Sequence, residues 1–167
     1  MNATETIFAL ALASNFNPQQ HFRYAHQQIC ELGAVEFSKI YIIPCRDGVG
    51  ADYWNAACLL HSTLTPEQII IQLKQWEANS GRVRPSHQIS LDVDLIAWGE
   101  SLAHMQFNPK KLPLALDVQI PMADVWSHPL FTESQHQFPT VKCLEVVNIY
   151  KRGTWSCCFK MRAKAAN

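Results

Sequence analysis

The chain has 167 residues, 48% of them hydrophobic and 17% charged, with fourteen basic residues balanced by fourteen acidic ones. That length suits a single domain able to bury about two-thirds of its unfolded surface, and no apolar run reaches the roughly 18 residues a membrane span needs. Neutral charge leaves no field for holding a nucleic-acid backbone, so nucleic acid is not the expected partner. Six cysteines without Cys-x-x-Cys spacing signal neither a zinc site nor a disulfide framework and read as reduced, buried thiols. Met1 to Leu12 has no basic n-region and no small-residue cleavage pattern, which argues against a secretory signal and makes the cytoplasm the expected location.

In chain order, Thr6 to Leu12 is a continuous apolar run of strand length ending at Ser14-Asn15. Pro18 to Leu32 repeats apolar residues at helical spacing (Phe22, Ala25, Ile29, Leu32), with Asn17-Pro18 as a start and Gly33 as a stop. Val35 to Pro44 predicts a second strand running into the polar loop Arg46 to Gly50, and Tyr53 to Ser62 a third that pairs antiparallel with it. Thr65-Pro66-Glu67-Gln68 is a capping box with Pro at the first helical position, and Ile69, Ile70, Leu73 and Trp76 carry that helix to about Asn79. After a loop through Gly81 to His87, Leu91 to Trp98 predicts a strand. The resulting βαββαβ order suggests an α+β, ferredoxin-like sandwich with helices covering one face of an antiparallel sheet. Three prolines between Asn108 and Ala123 argue against a long regular element there; Thr140 to Tyr150 has helical spacing with Gly153 as a stop, and Trp155 to Met161 predicts a short added strand. The whole chain, 1–167, reads as one domain with a C-terminal extension over 138–167, whose Lys151, Arg152, Lys160, Arg162 and Lys164 suit a solvated basic tail.

Three groups of residues can carry chemistry. Asp92 and Asp94, at i and i+2 of a strand, project from one face. Such a pair suits magnesium, which takes hard oxygen ligands together with substrate phosphates, and equally suits the solvated face of an edge strand. Arg82 and Arg84 on a Gly- and Pro-flanked loop can clamp phosphate oxygens or form an exposed basic turn, and Glu77 at the helix end can support an arginine or remain a surface residue. Tyr53 and Asn55 share a strand face and offer an aromatic plane beside an amide donor and acceptor, the needs of a flat heterocycle; a strand aromatic and a turn residue is the plainer reading.

In order and spacing from Leu10 to about Val125, these segments resemble the 6-hydroxymethyl-7,8-dihydropterin pyrophosphokinase family. Ala13-Ser14-Asn15-Phe16 is similar to its Gly-Ser-Asn-Leu, Asp52 to Ala57 to its Asp-Tyr-x-Asn-Ala-Ala, and Leu91 to Gly99 to its Leu-Asp-Leu-Asp-Leu-Leu-x-Tyr-Gly; Glu77 with Gly81 to Arg84 resembles its nucleotide-side helix and loop, and Pro121 to Val125 its Pro-Leu-Ala-Glu-Ile. The resemblance implies a ferredoxin-like fold and a monomeric enzyme of folate biosynthesis that moves diphosphate from ATP to the pterin alcohol. It implies two Mg2+ ions held by Asp92 and Asp94, catalytic roles for Arg82, Arg84, Asp92 and Asp94, nucleotide contacts from Glu77, Arg82 and Arg84, and pterin contacts from Tyr53 and Asn55. The chain departs from the pattern where Ile89 stands for an arginine, and where Ala115 and Asp117 stand for the arginine and phenylalanine of Arg-x-Phe. His104 and Lys110 keep a six-residue separation like that of missing family residues but receive no role. These departures leave a second reading open, a non-catalytic pterin- or nucleotide-binding module on the same fold. A third is an interaction domain for protein or RNA, which the neutral charge disfavours.

Overall fold

The structure is a computed structural model that describes residues 4–131, 137–141, 145–151 and 154–160. β1 (Thr6–Ser14) lies between β4 (Tyr53–Ser62) and β5 (Asp92–Gly99) and pairs antiparallel with both. Its central position explains its unbroken apolar sequence, because both of its faces are buried. Phe8, Leu10 and Leu12 point into one core; Ala9 and Ala11 point into the other. β2 (Ala34–Phe37) and β3 (Tyr41–Ile43) both pair with the far side of β4, and β6 (Gln106–Phe107) adds to β5, giving the order β2-β4-β1-β5-β6 with β3 beside β2.

The expected second strand is therefore two strands. Four steps along the chain from Phe37 to Tyr41 match three from Cys58 to Asn55 in the pairing, so one extra residue is accommodated between β2 and β3. Ser38 covers the interruption: its amide donates to Ala57 O at 2.9 Å and its Oγ accepts the Ala57 amide at 2.8 Å.

α1 (Pro18–Leu32) and α2 (Pro66–Asn79) cover the even-numbered face of β1, burying Phe22, Ala25 and Ile29 from the first and Ile69, Leu73 and Trp76 from the second. Each such large apolar side chain contributes about 1.5–3 kcal/mol by leaving water. Gly33 ends α1 where the chain passes against β4; a Cβ there would lie 1.9 Å from His61 O, so only glycine fits.

Helices do not cover one face alone. α3 (Leu116–Ala123) packs on the opposite face, where Met122, Trp126 and Phe131 meet Ala9, Ala11, Ala57, Leu59 and Ile96. The expectation of a helix over Thr140 to Tyr150 is overturned: β7 (Glu145–Lys151) is a strand paired antiparallel with β8 (Thr154–Lys160), the latter close to the strand expected from Trp155. The run of Val146, Val147, Ile149 and Tyr150 is β-branched and aromatic, a composition that favours a pleated ladder once a partner is present. Arg152, Arg162 and Lys164 of the expected basic tail lie outside the described residues. No helix among the described residues is long and apolar enough to cross a membrane. Cys30, Cys45 and Cys58 are thiols, only Cys58 fully buried.

Candidate active site

The register of the sheet assembles the site. Asp92 stands opposite Ala13, Ala13 opposite Asn55 and Asn55 opposite Tyr41, forming one row across β5, β1, β4 and β3. One pleat further in, Asp94 stands opposite Ala11 and Ala11 opposite Ala57. All these positions lie on the α3 side, together with Tyr53 two residues before Asn55. With strands about 4.8 Å apart, the Asp92 and Asn55 backbones are about 10 Å from one another, separated only by an alanine that leaves the floor low.

α2 delivers the third carboxylate. Glu77 is buried, and its Oε1 accepts the Val93 amide at 3.1 Å, so the side chain is fixed beside the strand residue between the two aspartates. Oxygens of Glu77, Asp92 and Asp94 lie within 4.8 Å of one another. Burial pushes the Glu77 carboxyl above its usual range, the Val93 amide pulls it down, and the Asp92 charge pushes it up again. The set is made of hard oxygen donors, the chemistry magnesium prefers.

Cations from two loops meet these carboxylates. Arg84 Nη2 lies 3.3 Å from Glu77 Oε2 and 3.5 Å from Asp92 Oδ1, and Arg82 Nη2 lies 3.7 Å from the same Asp92 oxygen. The Arg82 side chain is only 10% exposed, and its Nε and Nη1 are buried without a hydrogen-bond partner among the described residues. Burying guanidinium donors unpaired is costly, and an anion accepting from them would remove that cost. Lys111, which the sequence did not single out, places Nζ 2.5 Å from Asp94 Oδ1. Its neighbour Lys110 is exposed, as is His104, whose Nδ1 meets Ser101 Oγ at 3.0 Å; neither joins the cluster.

The end of β1 ties the surrounding loops together. Asn15 Oδ1 accepts the Ile89 amide at 2.6 Å, while its Nδ2 donates to His87 O at 2.8 Å and Ala51 O at 3.4 Å. Ser14 Oγ donates to Ile89 O at 3.2 Å, and the Asn15 and Phe16 amides reach the same carbonyl at 3.0 and 3.1 Å. Ile89 thus acts through its backbone, its side chain being buried. Ala115 precedes α3 as its cap residue, and Asp117 in the first turn pairs with Arg46.

A cavity of about 290 Å³ lies at the β3–β4 end of this face, with Ala13 and Tyr53 from the sheet, Arg46 and Asp47 from the following loop, and Asp117 from α3 among its lining. Burial raises the pKa of the Tyr53 hydroxyl, and the nearby Cys45, Asp47 and Asp92 push the same way against Arg82. Asn55 is buried with its Nδ2 donating to Tyr53 O at 3.1 Å, leaving its side-chain oxygen out of that bond.

The family model of 7,8-dihydro-6-hydroxymethylpterin-pyrophosphokinase matches residues 9–134. The chain belongs to that family. Membership makes it a relative of pyrophosphokinase-type transferases that act on small molecules in folate biosynthesis, and the matched span contains every site residue described above. No protein of curated function matches the chain at a significant level.

Proposed function

We propose that the chain transfers diphosphate from ATP to 6-hydroxymethyl-7,8-dihydropterin on a ferredoxin-like sheet, with magnesium as cofactor. The observation that carries this reading is the juxtaposition of three carboxylates within 4.8 Å of one another and two buried Arg82 donors, Nε and Nη1, unpaired among the described residues, on the face that also presents Tyr53 and Asn55. A cation-binding cluster beside a guanidinium with two buried donors still unpaired among the described residues is the complement of a metal-bound triphosphate.

Asp92 and Asp94, supported by Glu77, would hold the two magnesium ions the family resemblance implies, and those ions supply charge neutralisation on the triphosphate. Arg82 and Arg84 bind phosphate oxygens and screen charge as it develops, Arg84 by exchanging its carboxylate partners for the substrate. Tyr53 provides a flat surface for the pterin, and Asn55 its amide edge. The pterin hydroxyl oxygen bonds to the β-phosphorus as the bond to the α-phosphate oxygen breaks; AMP leaves and the hydroxyl proton is released. The protein's work is positioning, and the Ser14–Asn15 clamp on Ile89 and His87 holds the arginine loop to the sheet.

A second reading, a pterin- or nucleotide-binding module without turnover, draws on Ile89 and Ala115, which supply no guanidinium where the family pattern has one. AMP release from ATP with the dihydropterin and magnesium, measured for the native chain, Asp92→Ala and Asp94→Ala, separates the two. Pterin-dependent AMP that disappears in both variants supports the pyrophosphokinase. Saturable pterin binding by calorimetry without AMP supports the module, and neither binding nor AMP sinks both.

A further inference from the structure

The cavity at the β3–β4 end is lined by a flat aromatic side chain on the sheet, Tyr53, and by a second residue with a flat group of another kind, Arg46. Arg46 leaves the loop after β3 and reaches α3, where Nε donates to Asp117 Oδ2 at 3.2 Å and Nη2 pairs with Asp117 Oδ1. Two parallel bonds from one guanidinium to one carboxylate fix its plane as well as its position. The loop itself is shaped for this: the Gly48 amide donates to Cys45 O at 3.0 Å, and Gly48 has a φ of 69°, which favours glycine.

As a stabilising device the pair has little to recommend it. The Arg46 side chain is 69% exposed and Asp117 22%, and exposed ion pairs contribute about 0–1 kcal/mol. As a wall of a binding cavity it has specific value. A guanidinium is planar, delocalised and weakly hydrated, and stacks on aromatic heterocycles in a way a lysine ammonium cannot. With its charge balanced by Asp117, the cavity accepts a neutral ring without being left with an uncompensated cation.

We infer that Arg46, oriented by Asp117, is the second face of the pterin subsite, stacking on the heterocycle opposite Tyr53. This rests on the pterin reading proposed above. In it Asp117 is a positioning residue acting through Arg46, and the ring is held between an aromatic plane and a guanidinium plane.

The test is calorimetric binding of 6-hydroxymethyl-7,8-dihydropterin to the full chain and to Arg46→Lys, Arg46→Ala and Asp117→Asn, with a magnesium–nucleotide titration and a melting curve for each. Arg46→Lys keeps the charge and removes the plane, so its pterin Kd is expected to rise about tenfold, as for Arg46→Ala, while nucleotide affinity and melting temperature stay at native values. Asp117→Asn is expected to weaken pterin binding by a smaller factor, and Asp117→Phe in the Arg46→Ala background to restore part of it by supplying a ring. Native pterin affinity in Arg46→Lys overturns the inference and leaves the pterin reading intact. Absence of pterin binding to the native chain overturns both. A loss in Arg46→Ala accompanied by equal loss of nucleotide binding marks the pair as structural and overturns the inference as well.

Discussion

Glu77 Oε1 accepts the backbone N–H of Val93 at 3.1 Å, so the last turn of α2 is bonded to the strand residue flanked by the two aspartates. Glu77 is consequently both a member of the acidic cluster and the peg that sets its geometry. Separating the roles requires two substitutions. Glu77→Gln retains an oxygen for the Val93 amide and is expected to cost at most about 1 kcal/mol in urea unfolding, whereas Glu77→Ala strands a buried donor and costs about 1–3 kcal/mol. Both variants lose the carboxylate, so both should bind magnesium more weakly in a calorimetric titration. Equal stability of the two would show that the Val93 bond does not set the strand.

Asn15 joins three chain segments through one side chain, bonding to Ile89, His87 and Ala51. Asn15→Ala is expected to lower stability by about 1–2 kcal/mol, through loss of the Ile89 bond and exposure of two carbonyls to new partners. Because the segments it holds include the arginine loop, limited proteolysis should cut the variant faster between Gly81 and Gln88 than the native chain. Asn15→Asp, which keeps the acceptor and loses the donor, should fall between the two. Cleavage unchanged in Asn15→Ala would place the loop's anchoring elsewhere.

Lys111 occupies an oxygen of Asp94 that a divalent cation would otherwise use. The ammonium is about one-third exposed, so the pair is worth on the order of 1 kcal/mol, equivalent to about fivefold in affinity. Lys111→Met should therefore tighten Mn2+ binding about fivefold, measured by the paramagnetic resonance of the free ion, and make it more dependent on salt, because the carboxylate cluster is left more negative. Weaker binding in the variant would mean that Lys111 assists the cation rather than competing with it.

Local signals in the sequence were reliable where partners are close along the chain. Thr65 and Gln68 make the reciprocal capping bonds their spacing implies, at 3.3 and 2.9 Å, and the helix they start runs to Asn79 as expected. Asp92 and Asp94 project together because a strand repeats every two residues, a rule independent of tertiary context. Partners distant in sequence were not legible: nothing near Lys111 marks Asp94 as its acceptor, and the break at Ser38 depends on its bonds to Ala57. The segment Glu145–Lys151 combines helical spacing with strand-favouring composition, and only the presence of β8 decides between them. Glu77 looked equally like a surface residue because its burial follows from β5, which lies beyond the following loop.

His26 titrates away from the site and provides a stability probe. It is buried in α1 and stacked on Phe37 with ring centroids 4.2 Å apart, and burial lowers its pKa from 6.5 to about 4. Between those values the unfolded chain holds a proton on this imidazole that the folded chain does not, so stability must fall as pH drops through that window. Above about pH 6.5 both states are neutral and the effect vanishes. The expected loss by pH 4 is on the order of 2 kcal/mol, and His26→Phe, which keeps a ring against Phe37 but does not titrate, should remove that part of the pH dependence in urea unfolding. An NMR titration of the native ring supplies the independent check: a midpoint near 6.5 would mean that the imidazole is solvated in the folded chain, and the acid-linked loss would then have to come from the carboxylates.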